Sequence, residues 1–205
     1  VAPQSAHPVS GRGGARAGDP EAQARRPRPD PGHPARRQEG LVASHFSKGA
    51  SDGWTEYEKI SGANWRPNFG HHSAPHDFVL DIKDQEHPIT KGLKLNLPQT
   101  RDELYGNLRW QPEGSFHVLA TAYDDHKLYE ASRTDSRAPQ PLNGAGQNQP
   151  MLWTTQFGQG RVFITALGHD TEQVQTPTFI TTFTRGTEWA ATGKVTLPIP
   201  AGMAK

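Results

Sequence analysis

The chain has 205 residues, a net charge of +1 with histidine neutral, and no cysteine. The length allows one domain with tails. The absence of cysteine excludes disulfides, thiolate metal sites and a cysteine nucleophile, and the small net charge excludes a strong whole-molecule field for nucleic acid.

Residues 1–39 contain no Leu, Ile, Met, Phe, Tyr or Trp, and hold seven Pro and seven Arg against four acids. Such a segment has almost nothing to bury against the entropy of ordering it. It is predicted to be a disordered Pro/Arg/Gly-rich tail. An RNA-binding arm is the weaker reading, because no aromatic is interleaved with the arginines to stack on bases. No run of roughly 18 apolar residues predicts a membrane-spanning helix. The chain starts at Val1 and shows no apolar stretch of about 7–15 residues that would mark a secretion signal. The compartment stays open.

A folded domain is predicted over 40–198, with 199–205 as a C-terminal tail. LVAS, from Leu41, reads as the end of a buried strand, and His45 follows at once. GWTEYEKISGANW has Trp54, Tyr57 and Ile60 three apart, a short helix stopped near Gly62. After a Gly/Pro/His loop, HDFVLDIK alternates as a half-buried strand with Phe78, Leu80 and Ile82 inward. DQEHPITKGL is turn chemistry around His87-Pro88. RDELYGNLRW reads as one helical turn or an extended segment. FHVLATAY is a strand, and 124–149 a long polar surface loop. MLWTTQF and RVFITAL pair across Gly158-Gln159-Gly160. TPTFITTFTRGTEWAATGKV closes the domain as a helix capped at Thr176-Pro177 and ended at Gly193, with Phe179, Ile180, Phe183, Trp189 and Ala190 near helical spacing. Strands interspersed with helices give an α/β class.

Eight of the ten histidines lie after residue 40. His45 and His169 each follow an apolar strand. In open α/β sheets, residues past the carboxyl ends of strands line the ligand crevice, so the two imidazoles are expected to face one cleft. His71, His72 and His76 lie on a loop that can join them, and Asp102 and Glu103 supply carboxylates. Two uses fit. One is a divalent metal site of imidazole and carboxylate ligands, although no compact signature such as HExxH is present. The other is general acid–base work, with His169 held by a neighbouring carboxylate such as Asp170 or Glu172. A structural, hydrogen-bonded histidine is the competing reading of each position.

Taken together, GHHSAPHDFVLDIKDQEHPITKGL, DELY, VLATAY, PMLWTTQFGQGRVFITALGHD and FITTFTRGTEWAATGKVT resemble the ThuA-like (trehalose utilisation) family, collinearly over 40–197. The resemblance implies a class I glutamine amidotransferase-like fold: a flavodoxin-like layered sheet with helices on both faces. The family's opening strand and helix are not recognisable in residues 1–39, so the N-terminal strands are expected to be missing or replaced. GLVASHF would occupy the place of the amidotransferase nucleophile turn, and GRVFITALGHD that of the histidine-bearing strand. Without cysteine, amide hydrolysis through a thiolate is closed. Ser44 lacks the glycine pair that usually allows a sharp elbow.

By this resemblance the chain acts on, or binds, a sugar or oxidised sugar derivative in carbohydrate metabolism. His45, Glu103 and His169 are the implied catalytic residues. His45, His72 and His169 are the implied ligands of a divalent metal such as zinc. Trp65 and Tyr105 are available to stack on a sugar face, with Asp170 as a further substrate contact. No residue is assigned to an organic cofactor, the implied partner is a small carbohydrate, and the oligomeric state is open. Two alternatives stand beside an enzyme: a non-catalytic glycan- or protein-binding module, and a truncated inactive product. A converging histidine cluster separates the enzyme from the module.

Overall fold

The computed structural model describes residues 39–130 and 142–205. Residues 1–38 of the tail expected over 1–39 and the middle of the polar loop expected over 124–149 lie outside the described residues. In chain order the strands are β1 (Gly40–Ser44), β2 (Ala63–Asn64), β3 (His71–His72), β4 (His76–Ile82), β5 (Asn96–Asp102), β6 (Tyr105–Gly106), β7 (Arg109–Trp110), β8 (Phe116–Asp124), β9 (Gln147–Phe157) and β10 (Gly160–Thr165). The α-helices are α1 (Thr55–Ser61), α2 (Lys127–Glu130) and α3 (Pro177–Thr192).

Six strands form one sheet in the order β1-β10-β9-β8-β4-β5. The β1–β10 pair is parallel, and the other pairs in that sheet are antiparallel. The class is therefore mixed α/β, as expected, with a sheet more antiparallel than a flavodoxin-like pattern implies. The reason is local. The two-residue turn at Gly158-Gln159 can only reverse the chain, with Gly158 at φ +60°.

The β9–β10 register fixes which residues face which helix. Val162 pairs with Thr155 and Ile164 with Trp153, which sets these four on one face. There α1 packs, and the Trp153 indole N–H donates to the Ser61 carbonyl at 2.8 Å. Phe163 and Thr154 point to the opposite face, where Gly186 of α3 lies against the Phe163 ring. Both faces are thus covered, which is why Met151–Thr155 and Val162–Thr165 are buried throughout rather than alternating. Toward the other end of the sheet, β4 alternates as predicted, with Phe78, Leu80 and Ile82 buried and Asp77 and Val79 exposed.

Local stop and cap signals end the helices. α1 stops at Gly62, φ +74°, and α3 at Gly193, φ +76°. The Thr176 hydroxyl accepts the Phe179 amide, with Pro177 in the first turn. The buried face of α3, however, differs from the apolar stripe. It is built of Thr178, Thr181, Thr182, Arg185 and Gly186 beside Phe179 and Ala190, while Ile180 is exposed. Small residues let the helix approach the sheet closely. Arg185 is buried because it donates to the carbonyls of Pro88, Ile89, Lys91 and Leu197.

Three further differences have simple causes. NLPQTRD, over which no strand is predicted, is β5; Pro98 is tolerated there because β5 lies at the sheet edge, where a missing N–H costs no ladder bond. RDELYGNLRW forms no helical turn: it carries the short strands β6 and β7, which pair with β3 and β2, with left-handed residues at Arg101 and Asn107, both at φ +49°. The segment 199–205, expected as a tail, folds back: Lys94 N–H donates to the Met203 carbonyl at 2.9 Å, and Met203 joins the core. No helix among the described residues is long and apolar enough to cross a membrane.

The close approach of α3 gives a stability test. A Cβ at residue 186 would overlap the buried Phe163 ring. G186A is expected to lose about 1–3 kcal/mol by overpacking, measured by urea unfolding, and adding F163L should recover part of the loss. An unchanged midpoint in G186A would mean the interface is looser than described.

Candidate functional site

Parallel pairing brings the carboxyl ends of β1 and β10 to the same edge of the sheet, with Ser44 opposite Thr165. His45 is the first residue past β1. His169 follows β10 after Gly168, whose φ of +98° turns the chain there. The two imidazole centroids are 5.3 Å apart. His45 itself has φ +45°, a left-handed conformation that a non-glycine residue holds only under constraint. The sharp turn after β1 is thus centred on the histidine, with Ser44 still extended at φ −129°.

Glu103 lies between the rings. One carboxylate oxygen, Oε2, is 3.3 Å from His45 Nε2 and 3.2 Å from His169 Nδ1; the other, Oε1, is 3.3 Å from His72 Nδ1. The ligating atoms of His45, Glu103 and His169 all lie within 4.8 Å of one another. His72 Nδ1 also contacts the Ser73 carbonyl at 2.9 Å. Since a carbonyl only accepts, that nitrogen carries a proton. Burial pushes the Glu103 carboxyl upward, but contact with His45 and the positive field of His72, His169 and His45 outweigh it and hold it below its usual value.

Two buried groups at this edge support the frame. Asp102, fully buried, accepts from Gln99 Nε2 at 2.8 Å and from the amides of Glu103, Gly168 and His169 at 2.9, 2.8 and 3.0 Å. It therefore joins the chain before Glu103 to the turn that presents His169. Lys48, also fully buried, lies with its ammonium 4.7 Å from the Tyr105 ring centre. Burial lowers its pKa to about 7, with Asp102 acting the other way.

The short β3 and β6 strands carry the remaining walls: His72 pairs with Tyr105, and His71 with Gly106. His71 points away from the cluster and contacts buried Asp124 at 2.6 Å; Asp124 also accepts the Tyr129 hydroxyl at 2.6 Å. That contact anchors β3.

The model of the ThuA family, described as trehalose utilisation, matches residues 36–190. The chain belongs to that family. A ThuA-like protein from Parabacteroides merdae superposes with TM-score 0.67 at 29% identity, covering 81% of this chain and 65% of its own. A ThuA-like protein from Bacteroides uniformis gives TM-score 0.54 at 17% identity, covering 76% and 61%. This ThuA-family chain thus spans less than two thirds of the length of either. A carbohydrate deacetylase, Agd3, overlaps at TM-score 0.40 and 14% identity, covering 65% of this chain and 17% of its own, too slight a likeness to bear on function. No curated protein matches the chain.

Of the residues expected at the ThuA-family site, the structure brings His45, His72, Glu103 and His169 together. Trp65 and Tyr105 border them: the Trp65 ring is 5.8 Å from His72 and 6.0 Å from Tyr105. Trp65 is partly exposed and lines an open cleft of about 370 Å³ with Gly49, Asp52, Arg66, Asn68 and Phe69. Tyr105 is only 2% exposed; its hydroxyl is 3.5 Å from His45 Nε2. Burial, then Glu103 and Asp102, raises that hydroxyl's pKa well above the ordinary value, so it stays protonated. Asp170 is exposed, and its carboxylate accepts the Glu172 amide at 2.8 Å. The carboxylate on His169 is therefore Glu103, not Asp170 or Glu172. Two residues escaped sequence reasoning: the joining role of Asp102 and the burial of Lys48. Neither has a local signal, because each acts through partners far along the chain.

Asp102 and Glu103 give separate tests. D102N replaces one acceptor oxygen with a donor facing buried amides; a loss of about 1–3 kcal/mol is expected, with amide exchange at Gly168 and His169 accelerated. Retained protection at both amides would detach Asp102 from the turn. For Glu103 the folded pKa lies below the usual 4.5, so its ionised form stabilises the fold above that pH and the gain is lost as acid titrates the folded carboxylate. The stability gap between wild type and E103Q should therefore close as pH falls below 4.5, read by urea melts at stepped pH. A gap that widens in acid would reverse the assignment.

Proposed function

We propose that this ThuA-family chain holds a divalent metal such as zinc on His45, Glu103 and His169 and acts there on a sugar or oxidised sugar derivative. The observation that carries the reading is one of spacing. Ligands about 2.0–2.1 Å from a tetrahedral zinc lie about 3.3–3.4 Å apart. The His45–Glu103 and His169–Glu103 separations are 3.3 and 3.2 Å, whereas a direct charge-assisted N–H···O contact is about 2.7–2.9 Å. Two imidazoles and one carboxylate leave a position open, as a catalytic rather than a structural site does.

When bound, the metal supplies Lewis-acid polarisation of a sugar oxygen. The chain's own residues do the rest. Glu103 presents an ionised oxygen, and His72, whose Nδ1–H donates to the Ser73 carbonyl at 2.9 Å, stands 3.3 Å from the second oxygen. This moves His72 from ligand to supporting group. Trp65 offers a partly exposed ring beside the cleft for stacking on a sugar, and Tyr105, buried, packs edge-to-face on the His45 ring and keeps its hydroxyl protonated. Asp170 stands as a contact at the rim. The family's description, trehalose utilisation, agrees with a carbohydrate substrate. Convergence of these groups on one point favours an enzyme over a binding module, which needs exposed aromatics but no such cluster.

Titration of chelator-treated protein with zinc by calorimetry should give one ion per chain. H169A and E103A are expected to weaken binding by at least about tenfold while keeping a cooperative melt. W65A should keep the metal and lose affinity across a sugar panel. Full metal content in H169A would remove the ligand role of His169.

A further inference from the structure

We propose that Lys48 is a positioning residue: its buried ammonium ties the backbone at the ends of β1 and β10 together and holds His45 in its left-handed conformation. Lys48 is the fourth residue of the turn that His45 begins, and it is 0% exposed. Its Nζ donates to the His45 carbonyl. The same Nζ is 3.5 Å from the carbonyl of Thr165, the last residue of β10. These two carbonyls belong to the two chain segments whose next outward side chains are His45 and His169. The Tyr105 ring lies below the ammonium at 4.7 Å and the Trp153 ring at 6.0 Å.

The chemistry argues for a specific role. A lysine is almost never fully buried unless its charge is paired, and taking an ammonium out of water is costly. Methionine would fill the same volume without that cost. What methionine cannot do is donate to two carbonyls from parallel strand ends. One of those carbonyls belongs to the residue at φ +45°, where an L side chain is strained and glycine is not. Asp102 provides the opposite charge and itself grips the amides of Gly168 and His169. Lys48 on the β1 side and Asp102 on the β10 side thus set the separation of the two imidazoles.

The proposal concerns the geometry of the same site and does not need a metal. Its test is a double-mutant cycle of K48M and H45G, read as urea midpoints. If Lys48 offsets the strain at residue 45, Met at 48 lowers the midpoint at least twice as much with His45 as with glycine, which adopts that φ freely. Equal shifts in the two backgrounds, of either sign, would overturn the proposal and leave Lys48 as packing only. Folding of K48M only in the H45G background would support it. If K48M folds in neither, the cycle is run with K48Q and judged in the same way. In parallel, K48M is expected to lower zinc affinity by about tenfold. A wild-type chain that binds no zinc would sink the metal reading and leave the cycle to decide Lys48, whereas unchanged zinc affinity in a folded K48M would count against positioning.

Discussion

The structure depends on one parallel strand pair. β1 and β10 are distant along the chain and run in the same direction, with Ser44 opposite Thr165. Parallel neighbours end at the same edge, so whatever follows each strand meets there. His45 and His169 owe their proximity to that register. A shift of the β1–β10 register would move one ring along the edge by a strand step of about 3.3 Å per residue, more than the cluster tolerates.

Charge then organises what the register assembles. The carboxylates adjacent in sequence, Asp102 and Glu103, divide the work by direction. Successive residues in an extended segment point opposite ways. Asp102 therefore turns into the protein and takes backbone amides, and Glu103 turns out toward the imidazoles. The same alternation splits His71 from His72: one contacts buried Asp124, the other faces Glu103. Pairs of like residues thus supply one anchor and one site group each. Buried polar groups here are satisfied mainly by backbone carbonyls and amides, as they are at Arg185, which fixes α3 to the 88–91 turn.

Much of the fold was legible because it is written in local periodicity and local stops. The alternation in β4, the Thr176-Pro177 cap and the glycines after α1 and α3 act within a few residues. What was not legible acts at a distance. β5 contains Pro98, whose tolerance depends on being at an edge, a property of the whole sheet. The buried face of α3 does not follow from its apolar spacing, because close packing against Phe163 selects small residues over apolar ones. The folded-back segment 199–205 is buried by contacts with residues 92–94, which no pattern in its own sequence shows.

The site divides the same way. The sequence by itself determined which chemical groups were available: imidazoles just past apolar strands, an acidic pair, aromatics in the loops, and no thiol. It also determined that the strand ends would present them, because the apolar run of LVAS gives way directly to His45 and that of RVFITAL to Gly168 and His169. Only the tertiary structure decided that Glu103 rather than Asp170 meets His169, that Tyr105 is walled in while Trp65 keeps some surface, and that a lysine lies beneath the cluster. The reason is that ion pairing and burial depend on distance in space, and the chain fixes that distance only after the sheet has closed its register.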